Sequence, residues 1–277
     1  MTTTTPIPAH LLGSIYVTQN GIFCVDPRDQ FVAKALIEQS SYGLHELARL
    51  NQFLDTQSSV LMLGPHIGAL AVPLSKNIKE LVVVEANPDT HRLLLINVLL
   101  NACNNINVFH AAANHEDGQI EFVMNTANSG GSKRMPLHKD QAYFYDDPQV
   151  QTVPAARLDD LLNGHTFDLI FMDIEGSEYF AMKGMPRLLS ACKFLVTEFI
   201  PHHLDRVGGI TVSDFLEPLQ DFQSLFIPSI SLLVQSENFL AALTQMCEQG
   251  IGDEGLIFFK EKMLVSADLI TFVPART

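Results

Sequence analysis

Positive charge is scarce in this chain. Lys and Arg together number 17 against 31 Asp and Glu in 277 residues, a net charge of −14. That balance disfavours a phosphate backbone or an anionic membrane as the main partner, because both recruit basic surfaces. Neither nucleic acid nor a membrane is therefore expected as a partner, and the adjacent Lys133-Arg134 reads as an ordinary solvated loop. Cysteine is scarce too. Cys24, Cys103, Cys192 and Cys247 are scattered without a C-x-x-C pair, which argues against a zinc site and fits reduced, buried thiols in a cytoplasmic protein. No stretch reaches the ~18 continuous apolar residues that a membrane span needs. Met1-Thr-Thr-Thr-Thr5 lacks the basic and apolar regions of a signal peptide, so the threonine run reads as a disordered start.

What is abundant is apolar: 47% of residues are hydrophobic and only 17% charged, the balance of a globular chain with a sizeable interior. Chains of this length with α/β patterning are often undivided. The expected organisation is one domain over 56–277, with residues 1–55 forming a tail and entry helices packed on it.

Three apolar runs carry the pattern. Val60 to Leu63, Leu81 to Val84 and Asp168 to Met172 are short and continuous, as strands buried on both faces of a parallel sheet must be. Gly64-Pro-His-Ile-Gly68 follows the first run, then an apolar helical stretch. Glycines at a strand-to-helix turn allow a ligand close to the backbone. The spacing is Gly-x-x-x-Gly, not the Gly-x-Gly-x-x-Gly of dinucleotide folds. The second run ends on Glu85, about 20 residues beyond Gly64, where an acid can accept hydrogen bonds from both hydroxyls of a ribose. The third ends in Asp173, Glu175 and Glu178. Such crowded acids need a ligand, a metal or basic partners; the plainer reading is a solvated loop capping a helix.

Further along, Asn107 to His110 and Lys193 to Thr197 read as strands, and Gln119 to Met124 as an added one. Ser14 to Val25 reads as an extended segment around the Asn20-Gly21 turn. Thr126 to Pro148 is a long polar loop, and such loops are usually functional. Helices are predicted over Phe31 to Gln39, Leu44 to Leu54, Thr90 to Asn101, Leu158 to Leu162, Tyr179 to Leu189, Val212 to Asp221 and Asn238 to Cys247. Ser229 to Val234 reads as extended and Leu256 to Lys260 as a final strand.

In this order the blocks Leu63-Gly-Pro-His-Ile-Gly68, Val84-Glu-Ala-Asn-Pro88, Asn97-Val-Leu-Leu-Asn101, Asn128-Ser-Gly-Gly131, Arg157-Leu-Asp-Asp-Leu-Leu162, Asp173-Ile-Glu-Gly-Ser-Glu178 and Glu198 resemble the FkbM-type S-adenosylmethionine-dependent methyltransferases. The resemblance spans roughly residues 20 to 200. It implies a class I, Rossmann-like methyltransferase fold: a doubly wound, mostly parallel seven-stranded sheet with helices on both faces. It also implies S-adenosylmethionine as cofactor and methyl transfer to a hydroxyl. Carried onto this chain, the cofactor-binding set is Gly64, His66, Gly68, Glu85, Asn87, Asn128 and Asp173. Two positions depart from the family's pattern. Met62 stands where an Asp normally organises the cofactor's methionine end, and His66 stands at an Asn position. Asp173 is expected to take over the lost role.

A hydroxyl is a poor nucleophile, so a group must take its proton. Asp173, Glu175 and Glu178 end one predicted strand; Glu198, His202 and His203 end the next. Adjacent strands lie ~4.8 Å apart, so both tips face one crevice. The expected catalytic set is Asp173, Glu175, Glu198 and His202, with His202 either the base or a surface histidine beside Pro201. No metal is assigned, although carboxylates with histidines can also hold a divalent ion. Three function classes stand: a small-molecule or sugar O-methyltransferase, a cofactor-binding but catalytically silent domain, and, third, a nicotinamide-dependent oxidoreductase.

Overall fold

A central sheet organises the chain in this computed structural model, which describes residues 12–265 and 272–274. The threonine run and the rest of the expected tail up to residue 11 lie outside the described residues. Numbered in chain order, the strands of this sheet are β1 (Ser59–Leu63), β2 (Glu80–Glu85), β3 (Ile106–His110), β4 (Leu169–Met172), β5 (Phe194–Phe199), β6 (Ser224–Ile227), β7 (Leu232–Gln235) and β8 (Asp253–Phe259). They lie in the order β7-β6-β8-β5-β4-β1-β2-β3. The five from β5 to β3 are mutually parallel, and β8 pairs antiparallel with both β5 and β6. The sheet is thus the doubly wound, mostly parallel sheet that the resemblance implies, but with eight strands rather than seven. In the hairpin β6–β7, β7 answers to the segment expected as extended over Ser229 to Val234, and β6, before the tight turn at Pro228–Ile230, is the extra strand.

Alternation along the strands explains the two cores. Leu61, Leu63, Ile170 and Met172 point to one face, against the helices Glu178–Lys183, Pro186–Ala191 and Phe239–Gln249. Val60, Met62, Leu169 and Phe171 point to the other, against Leu44–Leu50 and Ala71–Ser75. Each fully buried Leu or Phe contributes about 1.5–3 kcal/mol relative to exposure, so this two-sided burial holds the strand tips in place. The helix expected over Tyr179 to Leu189 is two helices, because Gly184 ends the first and Pro186, lacking an N–H, starts the second. The helix expected over Val212 to Asp221 ends at Leu216, just before a tighter turn around Pro218.

A second, four-stranded sheet, ordered Ala112–Ala113, Gln149–Ala156, Gly118–Met124 and Lys133–Arg134, leaves the tip of β3. Three of its strands have no counterpart among the predicted ones: Ala112–Ala113, Gln149–Ala156, and Lys133–Arg134, which lies inside the segment expected as a loop and pairs with Phe122 and Val123. The N-terminal hairpin, Ser14–Val17 with Ile22–Val25, is fastened by two asparagines of the helix Pro88–Leu100 and its end. Asn97 exchanges bonds with both backbone groups of Cys24 and donates to the Ile67 carbonyl, while Asn101 does the same for Ile22. Among the described residues no helix is long and apolar enough to cross a membrane.

Candidate functional site

The doubly wound order reverses at β1, which lies between β2 and β4. Ligands in such sheets bind in the crevice outside the strand ends at that reversal, and two contiguous cavities open there. The smaller is walled by Ala111, Ala112, Ala113 and Phe122 on one side and by Gly64, His66 and Glu85 on the other. The larger lies beyond it over β4 and β5 and reaches the helix Leu44–Leu50. Gly64, His66, Gly130 and Asp173 line both.

Gly64 is required by packing. It adopts φ +76°, and a Cβ there would overlap the Asp173 carbonyl oxygen, so no side chain could let β1 and β4 emerge side by side. Gly68, at φ +89°, is also fixed by packing: a Cβ would fall 2.8 Å from Leu94 Cδ1. It lines neither cavity and packs against the helix that carries Leu94. Asn87 is likewise placed elsewhere. Its Oδ1 caps the helix Pro88–Leu100 by accepting from the Asp89 N–H, and its Nδ2 donates to Ser132 Oγ, 3.1 Å away.

Glu85 sits at the tip of β2 as expected. Its carboxylate accepts from the backbone N–H groups of His66 (2.9 Å) and Asn87 (2.8 Å), and burial raises its pKa to about 7 despite those bonds. Glu85 also lines the smaller cavity. His66, with φ +54°, places Nε2 2.7 Å from Ser129 Oγ. That hydroxyl in turn lies 2.6 Å from Asp29 Oδ2. Its single proton goes to the carboxylate, so His66 Nε2 carries the hydrogen and Nδ1 is a bare acceptor. Nδ1 is buried without a partner, and burial lowers the ring's pKa to about 4. Asn128 starts the turn Ser129–Gly131, accepts from the Gly131 N–H and lines the larger cavity.

The acids converge on the larger cavity. Asp173, Glu175 and Glu198 line it together with Glu46 and Glu254. Asp173 meets cavity solvent yet lies deep in the molecule, and its carboxylate accepts no hydrogen bond from any described residue. Burial, with Glu175, Glu46, Glu178 and Glu254 nearby, holds its pKa well above the usual carboxylate range. Glu198 is raised well above that range by the same cause, helped by Glu175 and Asp173. Glu178 is buried at the start of its helix, accepts from the Ile174 N–H and is raised to about 7.

Glu175 occupies the left-handed region at φ +55°, followed by Gly176 at φ +93°. A non-glycine residue there costs of order 1–3 kcal/mol and persists only when its surroundings hold it. Two partners do so: Lys133 Nζ at 2.7 Å and His203 Nε2 at 3.4 Å, both from Glu175 Oε2. The other ring nitrogen of His203, Nδ1, lies 3.3 Å from Glu198 Oε2. The histidine between the carboxylates is therefore His203. His202 points away, with Nδ1 2.8 Å from the Tyr143 hydroxyl, and lines neither cavity. Burial, Lys133 and His202 push the His203 pKa down to about 2, so the ring is neutral. The Glu175, Glu198 and His203 donor atoms are close enough to hold a metal ion, but the ammonium of Lys133 already occupies the Glu175 side of that cluster.

Lys133 corrects the sequence reading: it is 5% exposed and forms part of the site, not of a solvated loop. Arg134 beside it lies with its guanidinium carbon 3.6 Å from the centre of the Phe180 ring. The signal available was the acid surplus itself, which demanded a basic partner. His203 was masked by its neighbour, because sequence cannot tell which of two adjacent histidines turns inward.

No curated protein matches the sequence. The FkbM methyltransferase of Methylobacillus flagellatus KT is similar at 15% identity and TM-score 0.43, covering 85% of this chain and 62% of that one. Trm5b of Pyrococcus abyssi (13%, TM-score 0.42) is covered over 76% of this chain and 47% of its own, so the chain spans about half its length. TYW2 of M. jannaschii in complex with AdoMet (17%, TM-score 0.39) is covered over 72% and 68%. The methyltransferase FkbM domain matches residues 64–249, from the glycine turn through both carboxylate-bearing strand ends to the last long helix, and the chain belongs to that family.

Proposed function

We propose that the protein is an S-adenosylmethionine-dependent methyltransferase acting on a hydroxyl of a small molecule or sugar. One observation carries this reading: the smaller cavity, with its ribose-type acid Glu85, opens at Gly64, His66 and Asp173 into a larger cavity lined by the carboxylates of β4 and β5.

The residues present fit the cofactor. Ala111 to Ala113 and Phe122 offer an apolar wall to an adenine, and Glu85 offers acceptors to the ribose hydroxyls. The buried Nδ1 of His66 needs a donor that the protein does not supply. Asp173, without a protein donor, suits an ammonium group, the role left open by Met62. Met62 itself is sealed in apolar packing at 1% exposure. The amide of Asn128 is a neutral donor for a carboxylate.

When bound, the cofactor supplies an electrophilic methyl group on a sulfonium. The chain must align a hydroxyl with that methyl and take its proton. Glu198 suits proton acceptance, because its raised pKa makes it a stronger base than an ordinary carboxylate. His203 then positions it, bridging Glu198 to Glu175, whose charge Lys133 offsets. His202 is left without a route to the substrate.

The silent-domain reading draws on Met62, which stands where the family's pattern has an acid. Calorimetry with S-adenosylmethionine, followed by assay of S-adenosylhomocysteine release with a panel of hydroxyl compounds, separates the two. Binding with release is expected. Absence of binding overturns the cofactor assignment, and binding without release for any acceptor leaves the silent domain.

A further inference from the structure

An aspartate upstream of the matched family domain is tied to the cofactor cleft. Asp29 precedes the helix Val32–Glu38, lies outside residues 64–249 and is 2% exposed. Its carboxylate accepts four hydrogen bonds: Oδ1 takes the N–H groups of Phe31 (3.0 Å) and Ala33 (2.9 Å), and Oδ2 takes the N–H (2.8 Å) and the hydroxyl (2.6 Å) of Ser129. Backbone N–H groups can only donate, so both oxygens act as acceptors and the Ser129 proton points at Oδ2.

The direction of that one proton decides the state of the next ring. Ser129 Oγ is left as an acceptor for His66 Nε2, 2.7 Å away, so the imidazole keeps its hydrogen on Nε2. Nδ1 then carries a bare lone pair, hidden from bulk solvent and without a hydrogen-bond partner among the described residues. A buried acceptor left unbonded is unfavourable until a ligand supplies a donor. Burial lowers the ring's pKa to about 4, so protonation near neutral pH does not relieve it. Nor is the ring free to turn elsewhere: the residue is held at φ +54°, with its own N–H bonded to Glu85. His66 lines both cavities together with Asp173, at the passage between them.

We propose that Asp29 is a positioning residue for the cofactor: through Ser129 it fixes the His66 tautomer, and His66 Nδ1 accepts a hydrogen bond from the ammonium of the cofactor's methionine end. This inference rests on the cofactor reading above and deepens it. The two ribose hydroxyls are matched by Glu85, while the sulfonium and the carboxylate have no N–H or O–H to give. The ammonium is therefore the donor that reaches the passage, and its three hydrogens let Asp173 and His66 each take one. A neutral imidazole does so without adding a negative charge beside Asp173, whose carboxyl is already crowded by Glu175 and Glu178.

The test uses the whole protein with isotope-labelled histidine nitrogens and two ligands, S-adenosylhomocysteine and methylthioadenosine, which lacks the amino-acid end. Nitrogen resonances of the wild type should show the His66 hydrogen on Nε2 and a bare Nδ1 that shifts with S-adenosylhomocysteine but not with methylthioadenosine. In Asp29→Asn the amide donates to Ser129 Oγ, which turns the hydroxyl toward Nε2 and should move the ring hydrogen to Nδ1. Ser129→Ala removes the relay while leaving the three backbone donors of Asp29 in place. Each variant should weaken S-adenosylhomocysteine about tenfold, as loss of a hydrogen bond to a charged group does, and methylthioadenosine less than twofold. Equal weakening of both ligands marks a merely structural role for Asp29 and overturns the inference. So do unchanged S-adenosylhomocysteine affinity in the variants, a hydrogen on Nδ1 in the wild type, or an Nδ1 shift with methylthioadenosine, which would place a ribose hydroxyl there. Failure of S-adenosylhomocysteine to bind the wild type overturns the cofactor reading instead, and is seen before any variant is made.

Discussion

The ammonium of Lys133 lies 2.7 Å from Glu175 Oε2, joining the second sheet to the tip of β4. Glu175 is in a left-handed conformation that its own side chain disfavours, so this ion pair holds both a charge and a backbone shape. Removing one partner of a buried pair costs about 3–5 kcal/mol, mostly because the other charge is left unopposed. His203 and partial water access at Glu175 soften that loss, so Lys133→Met should cost about 3 kcal/mol in a urea titration. Adding Glu175→Gln removes the stranded charge and should recover at least half. A single variant as stable as wild type would show that the pair does not support the tip of β4.

Glu85 gives a pH dependence with a definite sign. Burial raises its pKa to about 7 in the free protein. Ribose hydroxyls donate to the ionised form, so a bound adenosine group lowers that pKa and releases a proton below about pH 7. Affinity for S-adenosylhomocysteine should therefore rise from pH 6 toward 7 and flatten above 8. Calorimetry in buffers of differing ionisation heat reads the proton directly. Glu85→Gln should release one proton fewer and bind about 10-fold more weakly, from the ~1.5 kcal/mol of a charged hydrogen bond. An unchanged proton count would remove Glu85 from the ribose contact.

How far this site could be read in the sequence depended on whether a signal was local. The apolar runs at β1, β2 and β4 and the acids that end them are contiguous patterns, and the structure places them together at the sheet reversal. Gly68, Asn87 and Asn97 sit in the motif blocks but serve packing and capping, because a motif fixes residue identity without saying whether the side chain faces a ligand or a helix. Lys133 was misread because its burial is decided by pairing with Phe122 and Val123 and by a carboxylate 42 residues away. The strand β6 escaped because Pro228 punctuates the hairpin where the apolar pattern runs on. Glu46 and Glu254, far apart in the chain, line one cavity only through the fold.

The two adjacent histidines offer the sharpest test of the proposed chemistry. His203 bridges Glu198 Oε2 and Glu175 Oε2 at 3.3 and 3.4 Å, whereas His202 meets Tyr143. The His203 ring is neutral and carries one N–H, so it serves one carboxylate as donor: Nδ1 is within hydrogen-bond reach of Glu198, while Nε2 stands 3.4 Å from Glu175. A proton acceptor in the transition state supplies roughly 10²–10⁴ in rate. His203→Ala, which frees Glu198, should lower kcat about 100-fold with S-adenosylhomocysteine affinity within twofold, and His203→Gln should restore part of it. His202→Ala should cost less than tenfold. A merely structural role for His203 would lower kcat without moving the pH profile. As a positioning residue its loss should also displace the acidic limb, because the Glu198 pKa is set in part by what it bonds. The reverse ranking, with His202→Ala slow and His203→Ala near normal, would return the base to His202 and remove Glu198 from that role.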